Sequence, residues 1–158
     1  PAKSLQLVKN SFELRLILEP EMAAQSVFHI TDSNVEYISR LEEDCSKKIL
    51  NGENYADEDK KFHSAIAHIS DNRIFEELMP YFYVSIANIE GTKNLSESEA
   101  DFVIRELNKN AVIYHKKIVD CFRNRDCSGV RIAMETHIYN SLNIFNRLIA
   151  KKFKLSDL

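Results

Sequence analysis

A chain of 158 residues, 44% of them hydrophobic, is long enough to bury one proper core and too short for two comfortable domains. Its six glycines and prolines together make up about 4% of the chain, against about 12% in average proteins, which argues against hairpin-rich sandwiches, barrels and Rossmann-like folds and leaves a helical protein. The formal net charge of -3 gives no basic footprint for nucleic acid, and no run of about 18 apolar residues offers a bilayer span.

Apolar spacing at 3.6 residues predicts six helices or so, in chain order. The first runs from about Phe12 to Ile30 with Leu14, Ile17, Leu18, Ala24 and Phe28 on one side, and Pro20 predicts a kink or restart within it. A second follows Thr31 or Ser33, where Ser33-x-x-Glu36 reads as a capping box; its stripe is Val35, Ile38, Leu41, Cys45 and Ile49, and Gly52 ends it. The third covers about Tyr55 to Ser70, with Asp71-Asn72 as the joint to a fourth from Arg73 to about Ile89, apolar and aromatic on several sides and bent at Pro80. Residues 91–98 read as a polar loop. A long fifth helix runs from about Glu99 to Arg123, with a break expected near Asn108 to Asn110. Asp126 or Ser128 opens the last, which runs to about Lys151 before a frayed tail. Three cysteines, Cys45, Cys121 and Cys127, are odd in number and form no CxxC, so a disulfide framework is not expected. With no leader of the signal-peptide type either, a cytoplasmic location is.

Three helices carry an ionisable group in the middle of an apolar stripe, where burial without a partner costs several kcal/mol. The third reads Tyr55, Asp59, Phe62, His63, Ile66 and Ile69 on its inward face. The fifth reads Val112, His115, Ile118, Val119 and Phe122, and the sixth Val130, Ala133, Met134, His137, Ile138, Ser141 and Ile144. A lone histidine on such a face is usually a hydrogen-bonded core residue; three on three helices, with an aspartate, are harder to set aside one at a time. Asp59 and His63 stand four apart, one helical turn, which suits chelation of one cation by a carboxylate oxygen and an imidazole nitrogen. His115 and His137 complete a set of three nitrogens and one oxygen if their helices pack on the third. Such a set suits a divalent transition metal, Zn, Ni, Mn or Fe, with Zn and Ni favoured by the imidazole count. His68, rotated about 140° from His63, and His29, at a helix end, read as structural or solvent-facing.

Paired Glu-x-x-His motifs of a di-iron bundle are missing, as are HExxH, GxSxG and glycine-rich phosphate loops. A metal-assisted hydrolase or lyase using an open coordination position stays a rival reading, although no further carboxylate or histidine on the stripes offers an obvious general base. A plain helical dimerisation module, with the fourth helix as seam, is a third.

The motifs also resemble a known family. Glu13-x-Arg15-x-x-x-Glu19-Pro20 followed by Ala23-Ala24 is similar to the opening signature of the FCD domain, the effector-binding C-terminal half of FadR-type regulators in the GntR family. Asp59-Lys60-Lys61-Phe62-His63 resembles its D-x-x-F-H motif, and Ser70-Asp71-Asn72 the S-x-N that follows. Tyr114-His115-Lys116-Lys117-Ile118 resembles H-x-x-I, and Met134-x-x-His137 the closing M-x-x-H. The likeness covers about Ser11 to Leu148, with a longer than usual interval around Gly91 to Ala100.

The resemblance implies an all-α, antiparallel bundle of six to seven helices around a central metal and ligand pocket, with the metal, zinc foremost, held by Asp59, His63, His115 and His137. It implies a sensor, not an enzyme, whose effector is a small organic acid, a carboxylate or sugar acid, bound at or beside the metal. Arg15 is the candidate charged contact, since a guanidinium matches a carboxylate bidentately, with a salt bridge to Glu19 as the equal alternative. Asn72 is a candidate effector contact or a cap for the fourth helix. Such regulators act as homodimers that grip operator DNA through an N-terminal winged helix-turn-helix. Residues 1–10 are then expected to be a linker remnant from that domain, 11–150 the effector-binding domain and 151–158 the tail.

Overall fold

Helical spacing of apolar residues produces six α-helices among the residues that the computed structural model describes: α1 (Ala2–Ser26), α2 (Asp32–Leu50), α3 (Ala56–Ile69), α4 (Arg73–Phe82), α5 (Glu97–Arg123) and α6 (Cys127–Lys154). The described backbone covers residues 2–83 and 97–154, and the described side chains residues 6–83 and 101–147. The fold is all-α, as composition predicts, and no strand occurs among the described residues. No described helix is long and apolar enough to cross a membrane.

Local chemistry sets the helix ends. The capping box of α2 is built on Thr31, whose hydroxyl accepts from Asn34 N while Asn34 Oδ1 accepts from Thr31 N, so the expected Ser33–Glu36 pair is displaced by two residues. Gly52, at φ +71°, turns the chain out of α2 through the left-handed region that glycine enters without cost. Asn72 Oδ1 accepts from Ile74 N and caps α4. Asp126 Oδ1 accepts from Gly129 N at the start of α6, and a Cβ on Gly129 would meet Asp126 Oδ2 at 2.2 Å, so the glycine leaves room for the cap.

The helices close into a ring in which α1 packs on α6, α6 on α5, α5 on α2, α2 on α3 and α3 back on α1, with α4 resting on α1 and α3. Phe62, Phe122, Met22, Ile38, Ile66, Ile118, Met134 and Ile138 fill the middle with no exposed surface. Ser26 ties α1 to α3, its hydroxyl contacting Met22 O and Ile66 O at 2.9 and 2.8 Å.

Four departures from the sequence reading matter for the site. First, α1 begins at Ala2, so residues 2–10, expected as linker, are helical and Val8 is in the core. Second, α1 runs uninterrupted through Pro20 and turns its inward face away from part of the expected stripe: Ala24 is buried and Leu18 packs on the core, but Leu14 and Ile17 are exposed, as is Phe28 beyond the helix end, and the buried ladder is Val8, Phe12, Arg15, Glu19, Met22 and Ser26. Third, α5 continues unbroken through residues 108–110, and α6 extends to Lys154. Fourth, α4 ends at Phe82; the rest of the predicted fourth helix and the polar loop up to residue 96 lie outside the described residues.

Candidate functional site

The ring brings the ionisable groups of α3, α5 and α6 to one point. Asp59 and His63, one turn apart on α3, meet His115 of α5 and His137 of α6, and one ligand-type atom from each lies within 4.8 Å of all the others. His63 and His115 have no exposed surface, His137 is buried and Asp59 half-buried. Nε2 of His115 lies 3.3 Å from Nε2 of His137 and 3.3 Å from Asp59 Oδ1; Nε2 of His63 lies 3.8 Å from the same oxygen and makes no hydrogen bond.

This donor set fits a transition metal. A tetrahedral site with bonds of about 2.0–2.1 Å has its ligand atoms about 3.3 Å apart, which matches the two His115 separations, and the wider His63 spacing closes by a small shift. Both His63 nitrogens are buried without a hydrogen bond, and Nε2, 3.8 Å from Asp59 Oδ1, is the kind of unsatisfied group that a bound ion relieves.

Neighbouring side chains hold the rings. Phe62, next to His63 on α3, stacks on the His115 ring with centroids 4.3 Å apart, a physical reason for an aromatic residue beside that histidine. Asn110 Nδ2 donates to His137 O and Ser141 Oγ at 2.8 Å and sits 3.2 Å from His137 Nδ1, while Asn140 donates to Asn110 Oδ1. On the α1 side, His63 Nδ1 lies 2.6 Å from Glu19 Oε2, and Arg15 Nε donates to the other oxygen of that carboxylate at 2.5 Å. A terminal nitrogen of Arg15 reaches the Tyr83 hydroxyl at 3.5 Å, with the guanidinium over the tyrosine ring.

Burial and charge set the protonation states. Burial lowers the affinity of His115 and His137 for a proton, for His137 well below the ordinary value, and so favours the neutral imidazoles a metal needs. Burial alone would raise the carboxyls of Glu19 and Asp59. Arg15 and His63 outweigh it at Glu19 and hold that group at about 2. His63 and the hydrogen bond from His115 outweigh it at Asp59, which sits well below the usual carboxylate range. The Tyr83 hydroxyl is pushed up by burial and stays protonated.

Beside the cluster lies a cavity of about 390 Å³, near the small end of the range for small-molecule sites. Its wall includes Ser11, Phe12 and Arg15 from α1, Tyr55, Asp57, Asp59 and Lys60 around the start of α3, Phe82 and Tyr83 at the end of α4, Ala111 from α5, and His137 and Ser141 from α6. Asp59 and His137 therefore belong both to the cluster and to the cavity wall.

Of the residues singled out in the sequence, Asp59, His63, His115 and His137 come together, and Arg15 stands at the same cavity while also paired with Glu19. Asn72 does not join them: it is half-buried, occupied by its cap and absent from the cavity wall. His29 and His68 are exposed, His68 3.1 Å from Glu76. Sequence reasoning gave no site role to Glu19, Asn110 or Tyr83. The signal for Glu19 was an opposite-charge pair, four apart, interrupting the 8–12–15–19–22–26 ladder; Asn110 was read as a helix break.

Known proteins share this architecture. A solved structure, Streptococcus agalactiae GntR, superimposes with a TM-score of 0.70 at 24% identity, covering 87% of this chain and 59% of that one, a likeness of fold. The HTH-type transcriptional repressors NanR of Salmonella newport and Salmonella typhimurium are each 26% identical over 140 residues, 89% of this chain and 51% of theirs. The chain thus spans about half the length of these curated relatives. The family model described as the FCD domain matches residues 10–140, and the chain belongs to that family.

Proposed function

We propose that this chain is the effector-sensing domain of a GntR-type bacterial transcriptional regulator that binds a divalent transition metal, zinc foremost, and a small organic acid. The observation that carries this reading is the cluster of one carboxylate and three imidazoles shared with the wall of a cavity sized for a small molecule. Asp59, His63, His115 and His137 would hold the metal, which when bound supplies positive charge and an open position for a carboxylate oxygen. Arg15 is the second contact: its Nε is taken by Glu19, one terminal nitrogen approaches the Tyr83 hydroxyl, and the residue lines the cavity. Without a cation the two carboxylates Glu19 and Asp59 face Arg15 with little charge to spare for an acid, so metal and acid reinforce each other's binding. Asn72 remains a possible effector contact only through the α3–α4 joint, and its capping bond supports the structural role instead.

Operator DNA would be gripped by a helix-turn-helix segment beyond these residues, in keeping with relatives that are HTH-type transcriptional repressors. In the same reading residues 1–10 lead in from that segment, the regulator is a cytoplasmic homodimer, and exposed Leu14, Ile17, Ile74 and Tyr81 supply apolar surface for pairing. The site senses its ligand and does not turn it over.

Elemental analysis of the purified chain is expected to find about one transition-metal ion per molecule. An Asp59→Ala, His115→Ala double variant is expected to lose it and, with it, the thermal stabilisation by small carboxylic acids that mass action gives the loaded protein. Full metal retention in the double variant would overturn the site; turnover of any acid in the panel would overturn the sensor.

A further inference from the structure

We propose that Glu19 is a positioning residue for this centre: its carboxylate fixes the tautomer of His63 so that Nε2 faces the ligand cluster, and through its second oxygen it links that histidine to Arg15 at the cavity wall. The inference rests on the metal reading above.

Geometry carries it. Glu19 is fully buried; its Oε1 accepts from Arg15 Nε, and its Oε2 lies 2.6 Å from His63 Nδ1. A carboxylate paired with a guanidinium accepts hydrogen bonds and donates none, so a hydrogen between Glu19 Oε2 and His63 Nδ1, 2.6 Å apart with the ring turned off the line of a good hydrogen bond, belongs to the imidazole. An imidazole that gives Nε2 to a metal keeps its hydrogen on Nδ1, the nitrogen facing Glu19, while Nε2 lies 3.8 Å from Asp59 Oδ1 on the cluster side. A carboxylate behind a ligating imidazole also raises its basicity and locks the ring, and removing such a partner typically weakens metal binding by roughly 10–100-fold.

The arrangement spans two helices that are distant in sequence, α1 and α3, and it gives the buried charges of α1 a purpose that packing does not require. Arg15, Glu19 and His63 form one line from cavity to cluster, with Tyr83 closing the Arg15 end. An anion drawn to Arg15 therefore acts on the carboxylate that orients a ligand.

The test is Co²⁺ binding by the whole chain, read by chelator competition and by the ligand-field spectrum, for wild type, Glu19→Gln, His63→Ala and the double variant. Glu19→Gln is expected to bind Co²⁺ roughly 10–100-fold more weakly with shifted bands. In the His63→Ala background the same change should add almost nothing, because Glu19 acts through that ring. Equal affinity and spectrum in Glu19→Gln, or an undiminished effect without His63, would overturn the positioning role while leaving the metal site standing. Absence of Co²⁺ binding by wild type would overturn the metal reading and this inference with it. Nitrogen NMR of the Zn²⁺-loaded wild type is independent of whether any variant folds: His63 is expected with its hydrogen on Nδ1 and its Nε2 on the metal, and coordination through Nδ1 refutes the proposal.

Discussion

Two arginine–glutamate pairs anchor the same helix and differ in almost everything except composition. Glu21 of α1 meets Arg131 of α6 through two parallel bonds of 2.8 and 3.0 Å, the better geometry, yet both side chains are about half in water. Glu19, two residues earlier, meets Arg15 through one bond of 2.5 Å, with side-chain exposures of 0% and 8%. Water screens the first pair, so its geometry stabilises little. For the second, burial strips both groups of solvent, and each then depends on the other and on His63. Position in the ring, not the quality of the bond, decides what each pair does: one fastens α1 to α6, the other serves the site.

The largest expected effect comes from breaking the buried pair. Glu19→Ala leaves the Arg15 charge buried without a partner and should destabilise the metal-free protein by about 3–5 kcal/mol in urea unfolding. Acid provides a second, somewhat smaller break. Because the folded-state pKa of Glu19 is held at about 2 against an ordinary 4.5, its contribution is present above pH 4.5 and is lost as pH falls toward 2. The metal-free wild type should therefore lose more stability between pH 5 and 2.5 than Glu19→Gln does, by on the order of 2 kcal/mol. Equal acid sensitivity would show that the carboxylate gains nothing from Arg15 and His63. The smallest effect belongs to the exposed pair: Glu21→Ala should cost about 0–1 kcal/mol, less still in 1 M salt, where the Debye length falls to about 3 Å. A cost near that of Glu19→Ala would erase the distinction.

The four-residue cluster was legible because each member interrupts a regular apolar stripe on its own helix, and a 3.6-residue period makes such interruptions visible. The family likeness rested in part on the same positions and on Phe62, whose ring contact with His115 the structure supplies, and in part on the Arg15–Glu19 signature of α1. The face of α1 was misread for the complementary reason. Its inward ladder carries Arg15 and Glu19, so exposed Leu14 and Ile17 made the opposite side look like the core. Asn110 failed similarly: an asparagine inside a helix reads as a weak point, and only its bonds to His137 and Ser141 reveal a buried polar support. The choice of Thr31 and Asn34 over Ser33 and Glu36 as capping box turned on backbone angles that neighbouring candidates leave open.

Composition and periodicity by themselves determined that this chain is helical, approximately where each helix lies, and which four side chains could hold a cation. Those properties are local: they depend on propensity, caps and spacing within one helix. Tertiary structure alone decided that α1 turns its charged ladder inward, that Arg15, Glu19 and His63 form one line, and that the cluster shares a wall with a cavity. Those are facts about which helix faces which, and a buried charge becomes favourable only when a partner from another helix meets it.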